Sequence, residues 1–382
     1  MNVGINYQLN ISSFHQQLNC LKYTSLINKN IKLNLFIYLF CKNRVSDKLT
    51  YFFTALWMLN PLAILDSTVW GQVDSVLTLA LVAGLYFIMK DRLIIASVIF
   101  GGAVMLKPQA IILVPVLGYA LLRSKKPGTV LAGIGAALGT AIIIAMPFAL
   151  KVDMSKEFMV ARVTPMLEML HLNGGGTATK VATPFAWILS LFIGTADHYS
   201  YATVNALNFF FAIDGNWVRD TEPLMGLTWF WWGMINIVIA ALITMLIYFK
   251  SKKTEALPFV AGSVIFLLVT NFGPRMHERY FFPAVVFLII AAILSNRRTV
   301  LRLSLAESVL GYFTVLEILV DLNLGKPYMW PKLSLIRAAL SWANVILAVL
   351  VAVYAIADAF GKIEGTKFGK EIFGKEIKGA KP

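Results

Sequence analysis

At 382 residues and 42.4 kDa the chain could hold two or three soluble domains, but 58% apolar residues, 14% charged residues and a mean hydropathy of +0.72 exclude that arrangement. A soluble chain carries roughly 25% charged residues, so the composition describes a polytopic membrane protein of the all-α class. A net charge of +14 would suggest nucleic acid in a soluble chain, and two cysteines, Cys20 and Cys41, are too few for a disulfide framework and lack metal-ligand spacing.

In chain order, residues 1–35 carry seven asparagines, with neither a secretory signal nor a full spanning segment. The chain therefore reads as N-terminally truncated, with Ile31 to Cys41 as the remnant of a helix whose partners are missing. Roughly ten spanning helices follow, each needing about 20 apolar residues, fewer where charged ends snorkel. They fall near 51–65, 75–89, 93–106, 109–122, 128–150, 229–249, 256–271, 280–296, 303–321 and 334–358. Shorter apolar pieces lie near 183–194 and 199–213. The segments at 93–106 and 109–122 read as half-helices broken at Lys107-Pro108, because proline forbids a continuous helix there. The expected organisation is an atypical start at 1–50, a transmembrane unit at 51–358 and a basic tail at 359–382.

Positive charge sorts by side. Residues 1–50, the loops 90–92, 123–126, 250–255 and 297–302, and the tail from Lys362 hold 23 of the 34 Lys and Arg. Short cytoplasmic loops are enriched in these residues, so this side is predicted to be cytoplasmic, with the C-terminus. The opposite side has no positive excess, and topology accounts for the charge without nucleic acid. The tail repeats Phe-Gly-Lys-Glu-Ile at 368–372 and 373–377, a segment that either stays solvated or rests on anionic lipid.

Three polar clusters fall on the non-cytoplasmic side. The first runs from Asn60-Pro61 to Asp66, Ser67, Thr68, Val69, Trp70, Gly71, Gln72, Val73, Asp74 and Ser75. Asp66 and Asp74 would each cost about 2.5–3.5 kcal/mol at a helix centre; helix capping explains Asp74 and Ser75 equally well. The second, Lys107-Pro108-Gln109, sets a cation between apolar segments and calls for an anionic partner, either a carboxylate from another loop or a ligand phosphate, unless the lysine snorkels. The third places Arg275, His277, Glu278 and Arg279 at a helix entrance, a cationic rim suited to phosphate oxygens. Between the second and third clusters, Gly174-Gly175-Gly176 lacks Walker or Rossmann spacing and reads as a loop. Asn205 and Asn208, one helical turn apart, either face one cavity or pack through their amides.

This order of motifs resembles a known family. Asn60-Pro61, Trp70-Gly71-Gln72-Val73-Asp74-Ser75, Lys107-Pro108-Gln109, Asn205-Ala206-Leu207-Asn208 and Met276-His277-Glu278-Arg279-Tyr280-Phe281-Phe282-Pro283 are similar to segments of bacterial membrane mannosyltransferases related to the GPI second-mannose enzyme. Those belong to the GT-C class of integral membrane glycosyltransferases. The resemblance spans about residues 50–300. It implies inverting transfer of a hexose, mannose in that family, from a polyprenyl-phosphate donor to a lipid-linked or protein acceptor on the outer face of a bacterial cytoplasmic membrane. It further implies His277, Arg279, Lys107 and Arg275 as donor-phosphate contacts, with Trp70, Gln72, Gln109, Asn205, Asn208 and Glu278 in support. No cofactor beyond the lipid-phosphate donor is expected, and a divalent metal is left open. The chain departs from the family in lacking the first-outer-loop aspartate and the Asp-Tyr-Pro-Pro-like segment after it. Asp66 and Asp74 are the candidates for a substitute base, and whether the chain is itself an active enzyme stays open. The alternatives are a transporter or lipid flippase, whose half-helices Lys107-Pro108 would fit, and a non-catalytic membrane scaffold.

Overall fold

The computed structural model describes residues 30–42, 44–149, 153, 155–157, 159–326 and 332–363. The asparagine-rich start up to residue 29, Cys20 and the repeated tail lie outside the described residues. A first helix, α1, covers residues 30–42. It is no orphan: Leu33 and Ile37 are fully buried, Phe36 and Phe40 meet Tyr86 edge-on, and Phe40 meets Phe259. The partners assumed missing are supplied by the chain itself, and this helix belongs to the same core as the residues after 50.

The segment read as one straight span at 51–65 is two helices, α2 (Asp47–Met58) and α3 (Pro61–Val69), bent by 41°. The cause is local. Asn60 Oδ1 accepts from Leu62 N at 3.0 Å as a helix cap and Pro61 fixes the first turn. From Ile64 to Val69 the helix widens to a π turn, a rare form concentrated at functional sites.

Next come α4 (Asp74–Met89), α5 (Leu93–Leu106) and α6 (Pro108–Arg123). The break at Lys107-Pro108 is present: Lys107 is extended, and α6 opens with a 3-10 stretch from Pro108 to Leu113. Helix α7 (Pro127–Ala149) packs on α5 through Gly101, where any Cβ would strike the Ala137 carbonyl. Its other face exposes Leu131, Leu138, Ile143 and Phe148, as a lipid-facing surface requires. A short π turn (Met159–Val163) leads into α8 (Thr164–Met169) and α9 (Thr177–Asp197), so the apolar piece at 183–194 is part of a much longer helix.

The other apolar piece, 199–213, is not helical throughout. Asn205 takes a left-handed backbone, φ 59°, after β1 (Thr203–Val204), and only α10 (Phe209–Ala212) coils. A hairpin of β2 (Pro223–Leu224) and β3 (Leu227–Thr228) then leads to α11 (Trp229–Lys250) and α12 (Leu257–Phe272). Strand β4 (Met276–His277) pairs in parallel with β1 and precedes α13 (Phe282–Ser295). Helices α14 (Arg298–Asn323) and α15 (Leu335–Ala359) close the chain. Nearly every residue of α12 and α13 is buried, so this pair is the bundle's centre.

The fold is thus an all-α integral membrane bundle with a few two-residue strands. Among the described residues, five helices are long and apolar enough to cross a membrane, namely α7, α9, α11, α14 and α15, and six if α2 and α3 form one bent span. That is fewer than the ten expected. Helices α4, α5, α12 and α13 have 14–16 residues; at 1.5 Å per residue they fall short of a hydrocarbon core of about 30 Å.

The cationic loops meet at one end of the bundle. Arg44 pairs with Glu255 at 2.5 Å, Lys90 with Glu255 at 3.3 Å, Lys253 with Asp91 at 2.6 Å and Arg297 with Asp358 at 3.4 Å. Arg123 donates to the carbonyls of Tyr248 and Ser251.

Candidate functional site

The polar clusters come together around one buried carboxylate. Asp74 opens α4, where the helix N-terminus favours negative charge, after a turn at Gly71 whose φ of 80° suits glycine. Asp74 is 0% exposed, and its Oδ1 accepts from Lys107 Nζ at 2.5 Å. The extended backbone at the α5/α6 break is what frees Lys107 to reach it. Arg279 Nε lies 3.5 Å from Asp74 Oδ2, and the same guanidinium pairs with Glu278, also fully buried. Arg279 stands over the Trp70 ring at 5.1 Å, and Lys107 lies 5.2 Å from the Tyr280 ring centre, so the first, second and third clusters share one site.

His277 follows from the β1/β4 pairing, which sets it beside Val204. Its ring meets Tyr199 edge-on at 4.8 Å and Tyr280 at 5.0 Å, and Nδ1 is 4.0 Å from Glu278 Oε2. Burial, reinforced by the charges of Arg279 and Lys107, pushes the imidazole down to about 3. It is therefore neutral near pH 7, able to donate one hydrogen bond without adding a charge.

Beside this cluster opens a cavity of about 730 Å3 whose lining includes Trp70, Gln72, Arg162, Leu191, His198, Tyr199, His277, Arg279, Tyr280 and Leu322. The volume suits a ligand of substrate size. Asp66 lies deeper, on the π turn. It is 0% exposed, Ser67 Oγ donates to Oδ2 at 3.4 Å, and Oδ1 has no hydrogen-bond partner among the described residues. It interacts electrostatically with Asp74, Arg279, Lys107 and Glu278.

The other expected residues take different places. Gln109 Nε2 donates to the Tyr280 carbonyl at 2.7 Å, steadying the rim. Arg275 leaves the rim: its backbone is left-handed, φ 62°, so the Arg275/His277/Arg279 alternation does not put three cations on one side. Its Nε donates instead to Asp220 at 2.6 Å, with the guanidinium over Phe230. Asn205 and Asn208 do not share a helical turn. Asn205 Oδ1 accepts from Trp217 Nε1 at 2.8 Å, inside the 199–229 loop. Asn208 caps α10, with Oδ1 accepting from Phe211 N at 3.0 Å.

Tyr199, His198 and Arg162 carry no motif, and the sequence did not single them out. Asn30 carries no such signal either, although Ser75 Oγ donates to its Oδ1 at 2.5 Å and its Nδ2 donates to Ala63 O at 3.2 Å, tying α1 to α3 and the first turn of α4. Among the described residues no three His, Cys, Asp or Glu side chains are arranged to hold a metal ion.

With this geometry in hand, the relatives can be named. Over 87 residues the chain is 31% identical to GPI mannosyltransferase 1 of Candida albicans (strain SC5314 / ATCC MYA-2876), covering 22% of each protein. Over 70 residues it is 37% identical to GPI mannosyltransferase 1 of Kluyveromyces lactis, covering 18% of this chain and 17% of that protein. The likeness is to GPI mannosyltransferases. The matched stretch spans 22% or less of the length of these relatives. No family model matches the chain, and no solved structure matches it. The relatives are named as GPI mannosyltransferase 1, so the bacterial and second-mannose parts of the expected resemblance find no counterpart in them.

Proposed function

We propose that this chain is a GT-C-like mannosyltransferase that moves mannose from a polyprenyl-phosphate donor to a lipid-linked or protein acceptor. The observation carrying this reading is the convergence of Lys107, Arg279 and neutral His277, from separate elements, around a buried carboxylate beside a cavity of about 730 Å3. The likeness to GPI mannosyltransferases supports the choice of sugar. In this reading Arg279 and Lys107 neutralise the leaving phosphate, His277 donates to one of its oxygens, and Trp70 and Tyr280 wall the site. Electrostatic stabilisation of this kind acts most strongly where water is excluded. Glu278 and Gln109 hold the rim in place.

Two carboxylates are candidates for the base. Asp74 already holds Lys107 and Arg279, and its part is to orient them. Asp66, without a cation in hydrogen-bonding contact, takes the proton of the acceptor hydroxyl as that oxygen bonds to the sugar's anomeric carbon and the phosphate leaves. The finer topology belongs to this proposal too: about ten membrane passes, with short helices bridged by polar ends, in a bacterial cytoplasmic membrane. The cationic end and C-terminus lie in the cytoplasm and the cavity lies outside.

The test is transfer from polyprenyl-phosphate mannose by the purified chain in liposomes supplied with hydroxyl-bearing lipid acceptors. Mannosyl product is expected, and Asp66→Asn should cut turnover by about 10²–10⁴-fold while leaving donor affinity intact. Donor crossing the bilayer without forming product would make the chain a flippase instead.

A further inference from the structure

One buried acid of the bundle has no part in the site so far. Glu307, on α14 inside the membrane, is 2% exposed, and its Oε2 has no hydrogen-bond partner among the described residues. A buried acceptor left unpaired costs about 1–3 kcal/mol, and intramembrane acids are rare without a role. Its neighbour Ser308 is anchored, accepting from Asn60 Nδ2 at 3.0 Å, so α14 is held in register just where the unpaired oxygen sits.

Glu307 lines a small cavity of about 20 Å3 together with Asn208, Asn271, Asn344, His277 and Glu278. One water needs about 10–15 Å3 and two to four polar partners; a sugar, a phosphate or a lipid headgroup does not fit. The amides are already engaged. Both Nδ2 hydrogens of Asn344 are used, on Leu207 O at 2.9 Å and Thr314 Oγ1 at 3.0 Å. Asn271 Nδ2 donates to Leu267 O at 3.0 Å, and Asn208 Nδ2 donates to Thr270 O at 3.2 Å. Glu307 Oε2 and the Glu278 carboxylate are acceptors on this wall, and a water, with two hydrogens to give, is the small donor that matches them. The titratable groups facing Glu307 there are Glu278 and His277.

We propose that this cavity holds one structural water that donates to both Glu307 and Glu278, making Glu307 a positioning residue for the Glu278–Arg279 pair. The water fixes the Glu278 carboxylate between the Arg279 guanidinium and the His277 ring, so a side chain on α14 that touches no substrate sets the direction of the cations at the rim. The hydration rests on the cavity and the unpaired oxygen alone; the effect on donor binding rests on the function proposed above.

The experiment has two arms. Cryo-electron microscopy of the full chain in lipid nanodiscs, at a resolution that shows ordered water, should find one density within hydrogen-bonding distance of Glu307 Oε2 and a Glu278 oxygen. An empty cavity, or a direct contact between the two carboxyls, overturns the proposal. In the second arm, binding of polyprenyl-phosphate mannose should weaken about 10-fold or more in Glu307→Leu, the usual effect of losing an outer-layer partner. Glu307→Gln, which keeps a water ligand, should recover most of the affinity. In a Glu278→Gln background Glu307→Leu should have no further effect; additive losses would refute the positioning role. A wild-type chain that shows the water yet binds no donor would refute the proposed function and leave the hydration standing.

Discussion

The two ends of the bundle carry the same kinds of ion pair in opposite settings. At the cationic end, Lys253 and Asp91 are 62% and 61% exposed. At the other, Asp74 and Glu278 are fully buried, and Lys107 and Arg279 only 16% exposed. Exposed pairs contribute about 0–1 kcal/mol, because water screens them and long side chains must be immobilised. Buried pairs pay several kcal/mol in desolvation per ion and are weak evidence of stability. The exposed end therefore reads as topology, while the buried end carries a cost that its stability alone does not explain, as an anion-binding site would.

That contrast can be broken by substitution. Asp74→Ala removes the shared partner of Lys107 and Arg279, and unfolding in detergent should show a loss of about 3–5 kcal/mol. A loss below 1 kcal/mol would mean the pair is already hydrated. The pH dependence sharpens the same point. Because folding holds His277 down at about 3, below its ordinary 6.5, the unfolded chain binds a proton that the folded chain refuses once pH falls below about 6.5. The His277 contribution should be flat above that pH and should lower stability by about 2 kcal/mol at pH 5. The difference between wild type and His277→Gln should show this decline; parallel profiles would mean His277 does not carry it. The smallest effect belongs to the exposed end, where Lys253→Ala should change stability by less than about 1 kcal/mol.

Much of the site was legible because polar residues in an apolar chain stand out. Lys107 announced its need for an anion, and Asp74 meets it across 33 residues of sequence. The bend at Asn60-Pro61 was missed because apolar content alone made 51–65 look continuous, although a capping Asn followed by Pro is a helix-start signal. What could not be read depends on backbone geometry at single residues. The left-handed turn at Arg275 sends its side chain to Asp220, and the one at Asn205 sets aside a helical reading of an apolar stretch. Tyr199 and Arg162 reach the cavity only because α9 and the π turn before α8 fold over it, and neither carries a local signal. Helix α1 looked orphaned because its partners, Tyr86 and Phe259, are distant in sequence.

The central claim is that the buried end, and not the exposed one, holds the phosphate of a lipid-linked sugar. Its most direct test is equilibrium binding of polyprenyl-phosphate mannose to the chain in nanodiscs, comparing Arg279→Ala with Lys253→Ala. Loss of a charge-assisted hydrogen bond predicts weakening by about 1.5–3 kcal/mol, on the order of 10- to 150-fold, for Arg279→Ala and no change for Lys253→Ala. Equal affinities in wild type and Arg279→Ala, or a loss confined to Lys253→Ala, would contradict it.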